Sequence, residues 1–180
     1  DVYKRQELHS ALDPKAYRKA VALLAESEFI DIFGVENSLT PAMDLFTKLG
    51  YLGLTCRLNT DAYLQQIGAG HLPHGAVAVA FSHSGSSADT VKALRLAKSH
   101  GAKTIAITNA IGAPLASWAD VTLLTGRDSH TIYGNAIFSR VADTALVDML
   151  YMGVILSGYG RFSTALDESG RMIRDRVFEN

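Results

Sequence analysis

Residues 82–90 read Ser-His-Ser-Gly-Ser-Ser-Ala-Asp-Thr. They follow an apolar run, Ala76-Val77-Ala78-Val79-Ala80-Phe81, and lead into an amphipathic segment from Val91 to Ser99. A strand, a hydroxyl-rich turn and a helix start in this order can hold an anion. The first N–H groups of a helix have no partner inside it, and the helix dipole favours negative charge there. Ser82, Ser84, Ser86 and Ser87 add hydroxyl donors, His83 adds an imidazole, and Gly85 permits a tight or left-handed turn. A solvated, self-capping turn is the alternative, but a cap needs one hydroxyl and this loop offers four.

Other residues could face the same ligand. Asn37 and Ser38 follow the first apolar run and could contact ligand hydroxyls, or Ser38 or Thr40 could simply cap the next helix. Asn59-Thr60-Asp61 reads as a cap and turn, and Thr108-Asn109 could line the edge of the same crevice. Arg140, beside Ser139, reads as a surface or interface arginine. Glu36 is the carboxylate nearest the crevice; it could act as a base but would also repel a phosphate. His130 lies in the polar loop 126–134 and reads as solvated, and the remaining histidines show no metal-ligand spacing. No cofactor is implied.

The elements that must position these residues alternate. Helices are expected at 13–26, 40–50, 61–67, 89–100, 135–156 and 162–178, with a helical turn at 114–118. Asp13 is suited to cap the first of these and Pro14 to its first position; Gly50 and Gly101 read as stops. Strands are expected at 29–34, 52–58, 76–81, 104–107 and 121–124. Strands alternating with helices predict an α/β fold with a parallel, doubly wound, flavodoxin-like sheet of order 2-1-3-4-5. In that order ligands bind beyond the carboxyl ends of strands one and three, where the loops 36–38 and 82–87 lie.

Composition narrows the class. A chain of 180 residues, 48% hydrophobic and 19% charged, fits one ordinary globular domain, expected at 13–180 with 1–12 a linker or non-native segment. The net charge of −1 argues against broad nucleic-acid binding by this chain. A single cysteine, Cys56, allows no internal disulfide and fits a reducing cytoplasm. No apolar run reaches the roughly 20 residues that span a bilayer, and no membrane partner is expected. The chain opens on Asp1 rather than Met and reads as a fragment.

These motifs resemble a known family, the sugar isomerase (SIS) domain. Phe33-Gly34-Val35, Asn37-Ser38, Asp44 and Lys48-Leu49 are similar to its first β-α unit, and residues 81–87 to its Ser-x-Ser-Gly-x-Thr phosphosugar loop, with Ser87 in the threonine place. Ala97-Lys98, Gly101-Ala102-Lys103, Ile107-Thr108, Pro114-Leu115-Ala116 and Ala119-Asp120-Val121 continue the likeness in order. Leu12-Asp13-Pro14, Ser139-Arg140-Val141-Ala142 and Val147-Asp148-Met149-Leu150-Tyr151 resemble the C-terminal effector domain of RpiR-type bacterial transcription regulators. The resemblance implies a domain that senses a phosphorylated sugar, forms a homodimer or higher homo-oligomer, and reaches DNA only through an N-terminal helix-turn-helix domain. By position, Ser38, Ser82, Ser84 and Ser87 would contact the ligand, the last three mainly at its phosphate.

Three departures bear on function. Glu36 stands where the family often has a second glycine, which implies a tighter or partly occluded pocket, and Met43 stands where many members have a lysine. Isomerase members carry a glutamate after the fifth strand, whereas residues 126–130 here read Gly-Arg-Asp-Ser-His. The expectation is therefore a non-catalytic binding domain. The alternative is a stand-alone phosphosugar aldose–ketose isomerase with Glu36, Asp128 or His130 as its base. A Rossmann nucleotide binder is disfavoured, because Gly34-Val35-Glu36-Asn37-Ser38-Leu39 lacks Gly-x-Gly-x-x-Gly.

Overall fold

The structure, a computed structural model, describes residues 2–126 and 140–174. Its centre is a five-stranded parallel sheet in the expected order, β2-β1-β3-β4-β5. The strands are β1 (Ile30–Phe33), β2 (Cys56–Leu58), β3 (Val77–Phe81), β4 (Lys103–Thr108) and β5 (Val121–Leu124). The helices are α1 (Val2–Ala11), α2 (Pro14–Glu26), α3 (Leu39–Tyr51), α4 (Ala62–Ala69), α5 (Ala88–Ser99), α6 (Val141–Ser157) and α7 (Tyr159–Met172). A 3-10 turn spans Pro114–Trp118.

Residue size divides the two sheet faces. In β3, Val77, Val79 and Phe81 face one core together with Ile30, Ile32, Ile105 and Ile107. Ala78 and Ala80 point the other way, into a second core with Phe33, Ala106 and the α5 residues Ala93, Leu94 and Ala97. The large face carries residues of α1, α2, α3, α6 and α7. The alanine face lets α5 lie close to the sheet, because successive strand side chains alternate sides. Helices on both faces explain why β3 is buried along its whole length.

One buried charge is tied down at the sheet edge. Asp31 of β1 accepts two hydrogen bonds from Arg57 of β2, at 3.0 and 2.6 Å. Burial pushes the Asp31 carboxyl up, and the Arg57 guanidinium pulls it back down. Burial pushes the Cys56 thiol up to about 12, so it stays protonated and inert.

Several boundaries differ from expectation. Helix α3 passes through Gly50, and the left-handed turn comes instead at Gly53 (φ +71°), where Leu54 N–H donates back to Leu49 O. That turn shortens the expected strand 52–58 to Cys56–Leu58. Helix α7 starts at Tyr159, before the expected 162, at a 116° bend after α6. The expected helix residues 135–139 and 175–178 lie outside the described residues. Residues 2–11, read as part of a linker or non-native segment, form α1, which buries Leu8 and Ala11. No single helix among the described residues is long and apolar enough to cross a membrane.

The start of α2 shows why capping is legible in sequence. The Asp13 carboxylate accepts from Lys15 N–H at 3.1 Å and Ala16 N–H at 3.2 Å. Asp13→Ala removes both bonds and is expected to cost about 1 kcal/mol, a fall in Tm of roughly 2–4 °C by thermal unfolding.

Candidate functional site

The register of β1 with β3, Phe33 opposite Ala80, sets the carboxyl ends of these two strands side by side. The chain leaves β1 toward one face and β3 toward the other, so a cleft opens between the two departing loops. It holds about 630 Å³ and is lined by Glu36, Asn37 and Ser38 on one side and by Ser82, His83, Ser84, Ser86 and Ser87 on the other. The structure thus brings together every expected ligand-binding residue except Gly85, a buried residue of the serine loop that does not line the cleft.

The serine loop is rigidly braced. Ser82 N–H donates to Ile107 O at 3.1 Å, and Gly85 N–H donates to Ser82 O at 2.9 Å. The His83 carbonyl accepts from Asn109 N–H at 3.0 Å and from the Thr108 hydroxyl at 3.1 Å. Thr108 and Asn109 are buried supports of the loop and do not line the cleft, which corrects the expectation for them. Gly85 has φ +63°, and a Cβ there would stand 2.3 Å from the Ala113 Cβ and 2.8 Å from the Thr108 Oγ1. Both the backbone conformation and the close approach therefore demand glycine.

The same loop delivers the start of α5. Ser87 is the N-cap residue, yet its side chain caps no helix N–H group; its Oγ accepts from the Thr90 hydroxyl at 3.3 Å. A helix start without a side-chain cap, ringed by serine hydroxyls, is a site for an anionic group.

The opposing loop is held from beneath by a residue the sequence reading missed. Gln65 of α4 is buried; its amide accepts from Gly34 N–H at 3.2 Å and donates to Gly34 O at 2.7 Å and to Asn59 O at 2.8 Å. Gln65 stands beside Gln66 in α4, and nothing local distinguishes the buried, bracing glutamine from its exposed-side neighbour. Beside it, Asp61 caps α4 through Leu64 N–H at 2.9 Å, so Asn59-Thr60-Asp61 is the expected cap and turn.

Charge enters the cleft from three places. Glu36 adopts φ +51°, the left-handed conformation that suits a glycine, and its side chain is exposed at the cleft. Holding a non-glycine residue there costs about 1–2 kcal/mol. Asp89, in the first turn of α5, accepts from Gln66 Nε2 at 3.0 Å. Arg140, half-buried, lines the cleft as well, and its Nε donates to Asn37 O at 3.3 Å. Behind the loop, Asp143 of α6 lies with its Oδ2 4.0 Å from the His83 Nδ1. Burial pushes the Asp143 carboxyl above the ordinary carboxylate range, against the pull of Thr125 and Arg140. Asp128 and His130 lie outside the described residues, and Met43 is an exposed residue of α3.

Replacing Gly85 by alanine should lower stability by about 2–4 kcal/mol, combining left-handed strain with overpacking. Thermal unfolding should register this as a Tm drop of roughly 5–15 °C. Glu36→Gly, which removes the left-handed strain of a non-glycine residue on the opposite wall, should leave the Tm unchanged or higher.

Comparison with known proteins places this cleft in a family context. The family model described as the SIS domain matches residues 23–153. An uncharacterised HTH-type transcriptional regulator of Caldanaerobacter subterraneus is 30% identical over 171 residues, covering 95% of this chain and 61% of the regulator. The chain thus spans about three-fifths of that relative's length. The structure of the Vibrio vulnificus NanR protein complexed with ManNAc-6P superposes with a TM-score of 0.89 at 24% identity, over 98% of this chain and 67% of that one. The sugar isomerase domain of an RpiR transcription factor from Sphaerobacter thermophilus superposes with a TM-score of 0.83 at 23% identity, over 94% and 95% of the two chains. The hypothetical protein MJ1247 of Methanococcus jannaschii, whose structure was taken to infer a 3-hexulose-6-phosphate isomerase function, shares the fold with a TM-score of 0.68 at 14% identity, over 86% of this chain and 84% of that one. Because the SIS model accounts for most of the sequence, including every described residue that lines the cleft, this chain belongs to the SIS domain family.

Proposed function

We propose that this chain is the effector-sensing domain of an RpiR-type transcription regulator and that its effector is a phosphorylated sugar. The observation that carries the reading is the start of α5, without a side-chain cap and ringed by Ser84, Ser86 and Ser87, at one wall of the 630 Å³ cleft. The helix start and the hydroxyls suit the phosphate. Asn37, Ser38 and Glu36 on the other wall suit the hydroxyls of a sugar. The V. vulnificus NanR complex supports the same ligand class, because that protein shares the fold and holds ManNAc-6P. DNA contact would belong to a helix-turn-helix segment of the kind that names the HTH-type relatives, and assembly would be homodimeric or higher.

An isomerase would need a base within hydrogen-bond reach of the sugar carbons. Of the three sequence candidates, Glu36 is the one among the described residues, and it does line the cleft. We favour sensing because the Caldanaerobacter relative and the RpiR regulator of Escherichia coli, similar over 95% and 93% of this chain, are HTH-type transcriptional regulators. Interconversion of an aldose phosphate and a ketose phosphate by this chain, abolished in Glu36→Gln, would overturn that preference.

Ligand binding is testable by thermal stabilisation, since a ligand that binds only the folded state raises the Tm. A panel of sugar phosphates should contain members that raise the Tm of the native chain. The double change Ser84→Ala with Ser87→Ala should abolish that rise. Equal stabilisation by unphosphorylated sugars would show that the phosphate assignment is wrong.

A further inference from the structure

We infer that Arg140 is a ligand-contacting residue, the cation that lets this cleft accept a doubly charged phosphate group. The inference rests on the phosphosugar reading of the cleft. Three observations carry it. First, the Nη1 of Arg140 is buried and has no hydrogen-bond partner among the described residues. A buried guanidinium N–H is costly to leave unmet, and this one belongs to a residue that lines the cleft. Second, the guanidinium is aimed by the protein itself. Its Nε donates to Asn37 O at 3.3 Å, which ties the residue before α6 to the loop after β1. That leaves the rest of a rigid, planar fork for a second acceptor.

Third, the cleft needs the charge. Its described lining carries two carboxylates, Glu36 and Asp89, and Arg140 as its one permanent cation. A phosphate monoester carries close to two negative charges near neutral pH. Hydroxyl and backbone donors can solvate such a group but cannot neutralise it. Without Arg140 the permanent charges of the described lining would be the carboxylates of Glu36 and Asp89. A guanidinium suits a phosphate better than an ammonium does, because it offers two parallel N–H donors.

Isothermal titration of the native chain, Arg140→Gln and Arg140→Lys with sugar phosphates and with inorganic phosphate tests the assignment. Arg140→Gln should weaken both classes of ligand by roughly 10–100-fold, the range of a charge-assisted hydrogen bond. Arg140→Lys should recover part of that loss, which a purely structural tie to Asn37 would not produce. Equal affinity of Arg140→Gln and the native chain for a sugar phosphate would overturn the role of Arg140 and leave the phosphosugar reading standing. Binding of inorganic phosphate that depends on Arg140, with no sugar phosphate bound, would do the reverse. No anion bound at all by the native chain would overturn both. Should Arg140→Gln fail to fold, side-chain ¹⁵N NMR of the native chain gives the answer. The Arg140 guanidinium signal should move on titration with the phosphate ligand, and an unmoved signal at saturation would refute the contact.

Discussion

The reversal of strand order between β1 and β3 is the constraint on which the rest depends. Parallel strands need crossover helices, and on either side of the reversal those helices lie on opposite faces of the sheet. Neither helix can cover the gap between the two strand ends. Backbone polar groups at the start of α5 therefore open into a cleft instead of a core. The surrounding details preserve that opening. Gly85 takes a left-handed turn in space too small for a Cβ, Thr108 and Asn109 fix the loop through the His83 carbonyl, and the Ser87 hydroxyl does not cap the helix. The opposite wall is set by Gln65, whose side chain substitutes for a strand partner at Gly34.

The site is built mainly from neutral donors and is tuned by a few charges. Helix starts and hydroxyls bind an anion while leaving the cleft near neutrality. Glu36 and Asp89 tilt that balance toward negative, and Arg140 tilts it back. The left-handed strain at Glu36 is a local cost of about 1–2 kcal/mol carried at the site's rim. Burial of Asp143 behind His83 adds a carboxyl whose proton affinity is raised by its surroundings. These features make the cleft's electrostatics a property of the whole fold, since its charges come from α5, from the residue before α6 and from the loop before α3.

Much of this was legible along the chain. Alternation of apolar runs and amphipathic segments yields the strand order, because the β-α-β crossover has few solutions. The serine loop announces itself because its chemistry is contiguous in sequence, and Asp13-Pro14 marks its helix by local capping. What escaped the sequence reading was either non-local or conditional. Arg140 reaches the cleft only because α6 packs against α3 and so sets its first residues beside the loop after β1, and nothing in the neighbours of Arg140 encodes that packing. Gln65 matters through Gly34 and Asn59, one of them distant in sequence. Gly50 looked like a helix stop, yet a glycine can stay helical at modest cost when the true left-handed turn follows at Gly53. Helix α1 has too little amphipathic signal to read alone and is defined by the packing of Leu8 and Ala11.

The central claim is that a phosphate sits at the start of α5. A crystal structure of the native chain in complex with a sugar phosphate that raises its Tm tests it most directly. The account predicts the phosphorus beside the Ser84 and Ser87 hydroxyls and the first N–H groups of α5, with the sugar reaching toward Asn37 and Ser38. A phosphate bound away from α5, or a ligand reversed so that its sugar ring occupies the serine loop, would contradict it.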